Sequence, residues 1–142
     1  MSPPSRINST SELSCNYNIA ATLRASGQFE QARQLCASPA IPAESHGRLL
    51  CLAKAYHGLG RQQEAERALE QYKAIPRSEP PLFSLATVYA QWGNKAAALE
   101  YLADAWKQRD PAFQLLRVDW ELDPIRNEPQ FKAIEARMNF SP

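Results

Sequence analysis

Three glycines at one interval constrain this chain more than any other feature. Gly27, Gly60 and Gly93 stand 33 residues apart in turn. Five residues after each comes an alanine: Ala32, Ala65 and Ala98. Seven before each comes another: Ala20, Ala53 and Ala86. One residue earlier still stands an aliphatic side chain, at Ile19, Leu52 and Leu85. Four residues before the glycines lie Leu23, Tyr56 and Tyr89. Columns held in register at a single period mark internal repeats, and a period of this size with helical patterning marks stacked helix hairpins.

The stretch from Arg48 to Ala74 shows the unit most clearly. Leu49, Leu52, Ala53 and Tyr56 follow the i, i+3, i+4, i+7 spacing of one helical face. After a break at Gly58-Leu59-Gly60, Ala65, Ala68, Leu69 and Tyr72 repeat it. A helix of about four turns is marginal alone in water, so the two must cover each other as an antiparallel hairpin. Ala53 and Ala65 are the small residues expected at the closest approach.

The columns resemble the tetratricopeptide repeat. Its small, aromatic, Gly and Ala signature matches Ala20, Leu23, Gly27 and Ala32, then Ala53, Tyr56, Gly60 and Ala65, then Ala86, Tyr89, Gly93 and Ala98. Where that family carries a Trp near the start of each first helix, this chain has Asn16, Leu49 and Leu82. The resemblance implies an all-α fold: a right-handed α–α superhelix of three helix hairpins with C-terminal capping helices.

The expected order follows from caps and breakers. Residues 1–10 read as a tail and 11–140 as one domain, with repeats near 12–38, 44–75 and 79–109 and a cap near 111–139. Ser9 or Ser11 starts the first helix, with Glu12 at capping-box spacing from Ser9. Helices are expected to about Ser26, over Gln28–Ala37, Glu44–Leu59, Arg61–Ala74, to about Trp92, and over Lys95–Gln108. Pro76 ends the fourth, and Ser78 caps the fifth, with Pro80 and Pro81 in its first turn. Beyond Asp110-Pro111 the pattern changes to a short helix at Ala112–Arg117, a turn at Asp123–Arg126 and a last helix at Glu128–Met138, striped by Phe131, Ile134 and Met138. A solenoid needs such an element to cover its last repeat. Trp92, Trp106 and Trp120 are expected in that seam.

Leu122, Asp123, Pro124, Ile125, Arg126, Pro129 and Phe131 also resemble the ends of repeat arrays in bacterial winged-helix regulators, adenylate cyclases and serine/threonine kinases. This resemblance implies a sensory or regulatory module of a larger protein, without those partners' activities.

A net charge of +1 without a basic run gives no electrostatic footprint for nucleic acid. No run of apolar residues is long enough to span a membrane. The N-terminus lacks the apolar core of a signal peptide, which points to the cytoplasm, with the extracytoplasmic part of a membrane-anchored regulator as the alternative. Cys15, Cys36 and Cys51 lack zinc-ligand spacing. Cys15 and Cys36 fall at one level of the first hairpin, yet Cys15 stands five residues before Ala20, about 140° round the helix. A Cys15–Cys36 disulfide and three idle thiols are both open; an oxidised pair argues for an extracytoplasmic home.

The family resemblance implies that the first helices line a concave groove, which here would display Tyr17, Arg24, Leu50, Lys54, His57, Phe83, Thr87 and Gln91. Such a groove suits a protein or peptide segment with an apolar anchor and an acidic group. Tyr17, Leu50 and Phe83 equally suit packing between hairpins. The Lys and Asn clamp with which chaperone-binding relatives hold a C-terminal carboxylate is missing: Tyr17, Asn18 and Ala21, then Leu50, Cys51 and Lys54, occupy its places. His57 beside Gly58 reads as a helix-end or surface residue in preference to a pH switch. Asp119 and Glu121 read as solvated, and Asp123 as the cap of the turn before Pro124. No nucleophile elbow, phosphate loop, H-E-x-x-H or Cys/His pair is present. The expectation is a non-enzymatic interaction scaffold without cofactor, monomeric or homo-oligomeric.

Overall fold

Each of the three repeat glycines closes a helix in the same way. Gly27, Gly60 and Gly93 have φ of 83°, 77° and 82°, a left-handed conformation that only glycine adopts at no steric cost. The Gly60 N–H donates to His57 O at 3.0 Å and the next N–H, of Arg61, reaches back to Tyr56 O at 2.9 Å. The same pair of bonds links Gly27 to Arg24 and Gln28 to Leu23, and again Gly93 to Ala90 and Asn94 to Tyr89. This is the Schellman arrangement, which satisfies carbonyls left over at a helix end. The residue after each glycine is the N-cap of the following helix, and its carbonyl accepts from Ala32, Ala65 or Ala98 at 3.0–3.1 Å. One turn chemistry, used three times, therefore builds three helix–turn–helix units.

The computed structural model describes residues 18–39, 45–77 and 80–138, and among them the chain is helical with no strand. It divides into two compact units, Met1–Pro76 and Arg77–Pro142. Ser9, Ser11, Cys15, Tyr17 and Ser78, named above as caps or site residues, lie outside the described residues.

In the first unit, α1 runs through residues 18–25, followed by α2 (Phe29–Cys36), α3 (His46–Gly58) and α4 (Gln62–Ala74). Ser45 caps α3, its hydroxyl accepting from the Arg48 N–H at 3.1 Å. α2 packs along α3, and α3 along α4. Ala20, Ala32, Ala53 and Ala65 are wholly buried. Leu49, Leu52, Ala68, Leu69 and Tyr72 fill the α3–α4 interior as their period requires. Ile19 departs from its column: it is 45% exposed, where Leu52 and Leu85 are 9% and 4%.

The cysteines follow neither of the two open readings. Cys36, the last residue of α2, is joined to Cys51 on α3, and their Cα atoms are 5.8 Å apart. The bridge thus crosses from the first hairpin to the second. Cys36 is claimed by the neighbouring helix that its own helix packs against.

In the second unit, α5 (Leu82–Gln91) pairs with α6 (Lys95–Lys107). Two 3₁₀ helices follow, Pro111–Leu115 and Trp120–Ile125, and then α7 (Pro129–Arg137). α5 starts at Leu82, after Pro80 and Pro81 and not through them. Asn94 caps α6 by accepting from Ala97 N–H at 3.1 Å. Tyr89 and Tyr101 stack across the hairpin, ring centroids 5.3 Å apart and planes 7° from parallel. The second 3₁₀ helix lies over α5 and α6 and delivers Leu122 and Ile125, both wholly buried, into the interior with Leu102, Leu116 and Phe131.

Arg126 ties this cap together. Its guanidinium donates to Leu116 O at 3.0 Å, Arg117 O at 3.3 Å, Asp119 O at 2.7 Å and the Asp123 carboxylate at 3.0 Å. Its carbon sits 5.3 Å from the centroid of the Phe131 ring. The carboxylate of Asp119, read from sequence as solvated, is a cap: it accepts the Glu121 N–H at 2.9 Å and opens the second 3₁₀ helix. Asp123 pairs with Arg126 at 3.0 Å.

Candidate functional site

The residues expected along a groove fare differently in the two units. In the first, Arg24 on α1 and Lys54 on α3 are 9% and 8% exposed, while Leu50 and His57 are half-buried. His57 Nδ1 is 2.7 Å from Gln62 Oε1, a spacing at which the ring N–H donates to the amide carbonyl across the hairpin turn. His57 is thereby part of the turn's own bonding.

In the second unit Phe83 follows the packing alternative. Phe83 is 3% exposed and packs edge-on against Phe113 with centroids 5.4 Å apart. Its backbone N–H donates to Asp110 Oδ2 at 3.3 Å. The Thr87 hydroxyl donates to Ser84 O at 2.6 Å inside its own helix. Gln91 donates to Glu121 O at 2.9 Å. The cap therefore takes up the α5 face that carries Phe83 and Gln91. The physical reason is apolar: Phe83, Phe113 and Leu122 gain more from mutual burial than Phe83 would from standing in water.

Of the three tryptophans, Trp106 meets the expectation most directly, with its ring centroid 5.6 Å from that of Phe113. Trp92 packs against Tyr89 within α5 and its turn, at 5.7 Å.

A surface that the sequence reading did not single out lies between α6 and α7. A cleft of about 790 Å³ is floored by Trp106, Phe113, Ile134 and Met138 and edged by Lys107, Arg109 and Arg137. A second hollow of about 490 Å³ continues it along Ala96, Leu99, Gln130 and Ala133. The two share Ala103, Ile134 and Arg137, so together they form a trough beside both helices. On α6 the lining residues recur at Ala96, Leu99, Ala103 and Trp106; on α7 at Gln130, Ala133, Ile134 and Arg137. Both sets follow helical spacing, which is the signal that could have located the trough.

The rim beside the first 3₁₀ helix is cationic. Its one acid, Asp110, already serves the backbone: Oδ1 accepts from Ala112 N–H at 2.9 Å and Oδ2 from Phe83. Arg109 has φ of 56°, and it is the one non-glycine with positive φ among the described residues. Its N–H donates to Trp106 O and the Asp110 N–H to Ala105 O, both at 3.1 Å, repeating the Schellman bonds of the three glycine turns. A fourth such turn thus carries arginine where the others carry glycine.

Among the described residues, no group of three or more His, Cys, Asp or Glu could hold a metal ion. No described helix is long and apolar enough to cross a membrane. Compared with protein-family models, with curated proteins and with solved structures, the chain matches none of them.

Proposed function

We propose that this chain is a non-catalytic interaction scaffold of the tetratricopeptide-repeat kind, whose hairpins stack as a right-handed superhelix and hold a peptide or partner segment against their first helices. The observation that carries the reading is the glycine turn built three times on the same hydrogen bonds at a 33-residue interval. Such units bury their apolar stripes only against one another, and stacking sets corresponding side chains of successive first helices in rows. The row expected to meet a partner is centred on Leu50, which is half-buried, with Arg24, Lys54 and His57 beside it in the first unit; Phe83 lies in its own unit's core, and Thr87 and Gln91 hydrogen-bond there. Recognition here is by surface complementarity, with no bond chemistry. The test is affinity capture from the native cell with the unaltered chain and with Leu50→Glu, each checked for an unchanged helical spectrum. Loss of the captured partner with Leu50→Glu supports the reading; equal recovery removes it.

A second reading, a regulatory module of a larger signalling protein, has support from the resemblance of the Leu122–Phe131 phrase. The Cys36–Cys51 bridge favours an oxidising compartment for it over the cytoplasm. Denaturing cells in the presence of an alkylating agent separates the two homes, since Cys36 and Cys51 are buried in the fold. Two blocked positions at Cys36 and Cys51 mean a reducing one.

A further inference from the structure

We propose that the trough between α6 and α7 is a second docking surface, separate from the first-helix row, and that its occupant is an amphipathic acidic helix from a partner protein. Three observations converge on that occupant.

The first is shape. The trough follows α6 from Ala96 to Lys107, about 16 Å at 1.5 Å per residue. A compact ligand would fill one end, whereas three turns of helix fill its length with anchors at i, i+3 or i+4, and i+7. The second is chemistry along that length. The floor is apolar; the end beside the first 3₁₀ helix is edged by Lys107 and Arg109, Arg137 stands where the two hollows meet, and Glu100 edges the far hollow. Asp110 is the one acid at that end, its oxygens already accepting backbone N–H groups, and the cations outnumber it. The complementary segment therefore carries apolar anchors and, at that end, carboxylates. The third is the backbone of Arg109. A side chain in the left-handed region costs free energy that glycine avoids, and the other three Schellman turns use glycine. A guanidinium kept in such a place on the rim of an apolar cleft has a use that offsets the backbone cost.

The experiment is phage selection of random 16-residue segments on the immobilised full chain, followed by anisotropy titration of the synthesised winners. Expected are segments with helical apolar spacing and clustered Asp or Glu. Their affinity should fall about tenfold or more with Arg137→Glu, and again with Ala133→Glu. Both positions are exposed, so the variants should keep the parent's melting temperature. The inference is overturned by winners without acidic bias, by the absence of winners, or by binding indifferent to both variants. It is equally overturned if sedimentation shows self-association that Ala133→Glu abolishes, since a second copy is then the occupant. Binding that emerges only after residues 139–142 are removed assigns the trough to the chain's own end and also overturns it. None of these outcomes touches the Leu50 result, so the two surfaces stand or fall separately.

Discussion

Gly58 lies against the ring of Phe29: a Cβ at residue 58 would collide with that ring at Cγ, Cδ1 and Cε1. The contact sets the start of α2 against the end of α3. Two residues on, Gly60 serves a different need, since a Cβ there would meet nothing within 4 Å but its φ is 77°.

These two glycines should answer substitution differently. In an open helix Gly→Ala gains up to about 1 kcal/mol. Gly58→Ala should instead lose about 1–3 kcal/mol through overpacking, and Phe29→Leu in the same chain should restore part of it. Gly60→Ala should lose about 1–2 kcal/mol from backbone strain alone, with no rescue by Phe29→Leu. Urea unfolding of the four variants and their pairings measures both.

Arg109→Gly should raise stability by about 1 kcal/mol, because it relieves a left-handed residue that is exposed on the surface. The same variant should weaken acidic segments selected on the α6–α7 trough. A melting curve and an anisotropy titration on one sample check the two effects, which point in opposite directions.

Reducing Cys36–Cys51, or replacing both by serine, should cost about 3 kcal/mol, the chain-entropy value for a loop of 15 residues. The loss should fall on the first unit. Hydrogen exchange with and without reductant locates it: protection in α2 should drop while protection in α5 and α6 stays.

Arg126→Lys should destabilise the second unit by about 2 kcal/mol although charge is kept. A point-like ammonium cannot reach three backbone carbonyls and a carboxylate together, as the planar fork does. Arg126→Lys behaving like the parent in thermal unfolding would remove Arg126 from its place at the centre of the cap.

Much of the architecture was legible before any coordinates, because its causes are local. Helix period and the glycine turns each depend on neighbours within about five residues, and the 33-residue columns repeat those local patterns. The helix bounds accordingly agree with expectation to within two residues for α2, α3, α4, α6 and α7. The same local logic missed Asp119, which caps by the bond its side chain makes and not by its place before a proline.

The sequence by itself determined that short amphipathic helices would pair around wholly buried alanines, since each residue's period and each turn's φ requirement are written in adjacent positions. Only the tertiary structure decided which side of a helix is covered by which neighbour. It joined Cys36 to Cys51, took Phe83 into a core with Phe113, bent Gln91 to the Glu121 carbonyl and left α6 and α7 parted along Ala103 and Ile134. The reason is distance: these outcomes turn on ångström-scale approaches between segments about 15 to 35 residues apart, and a one-dimensional pattern carries periodicity but not the rotation of one helix against the next.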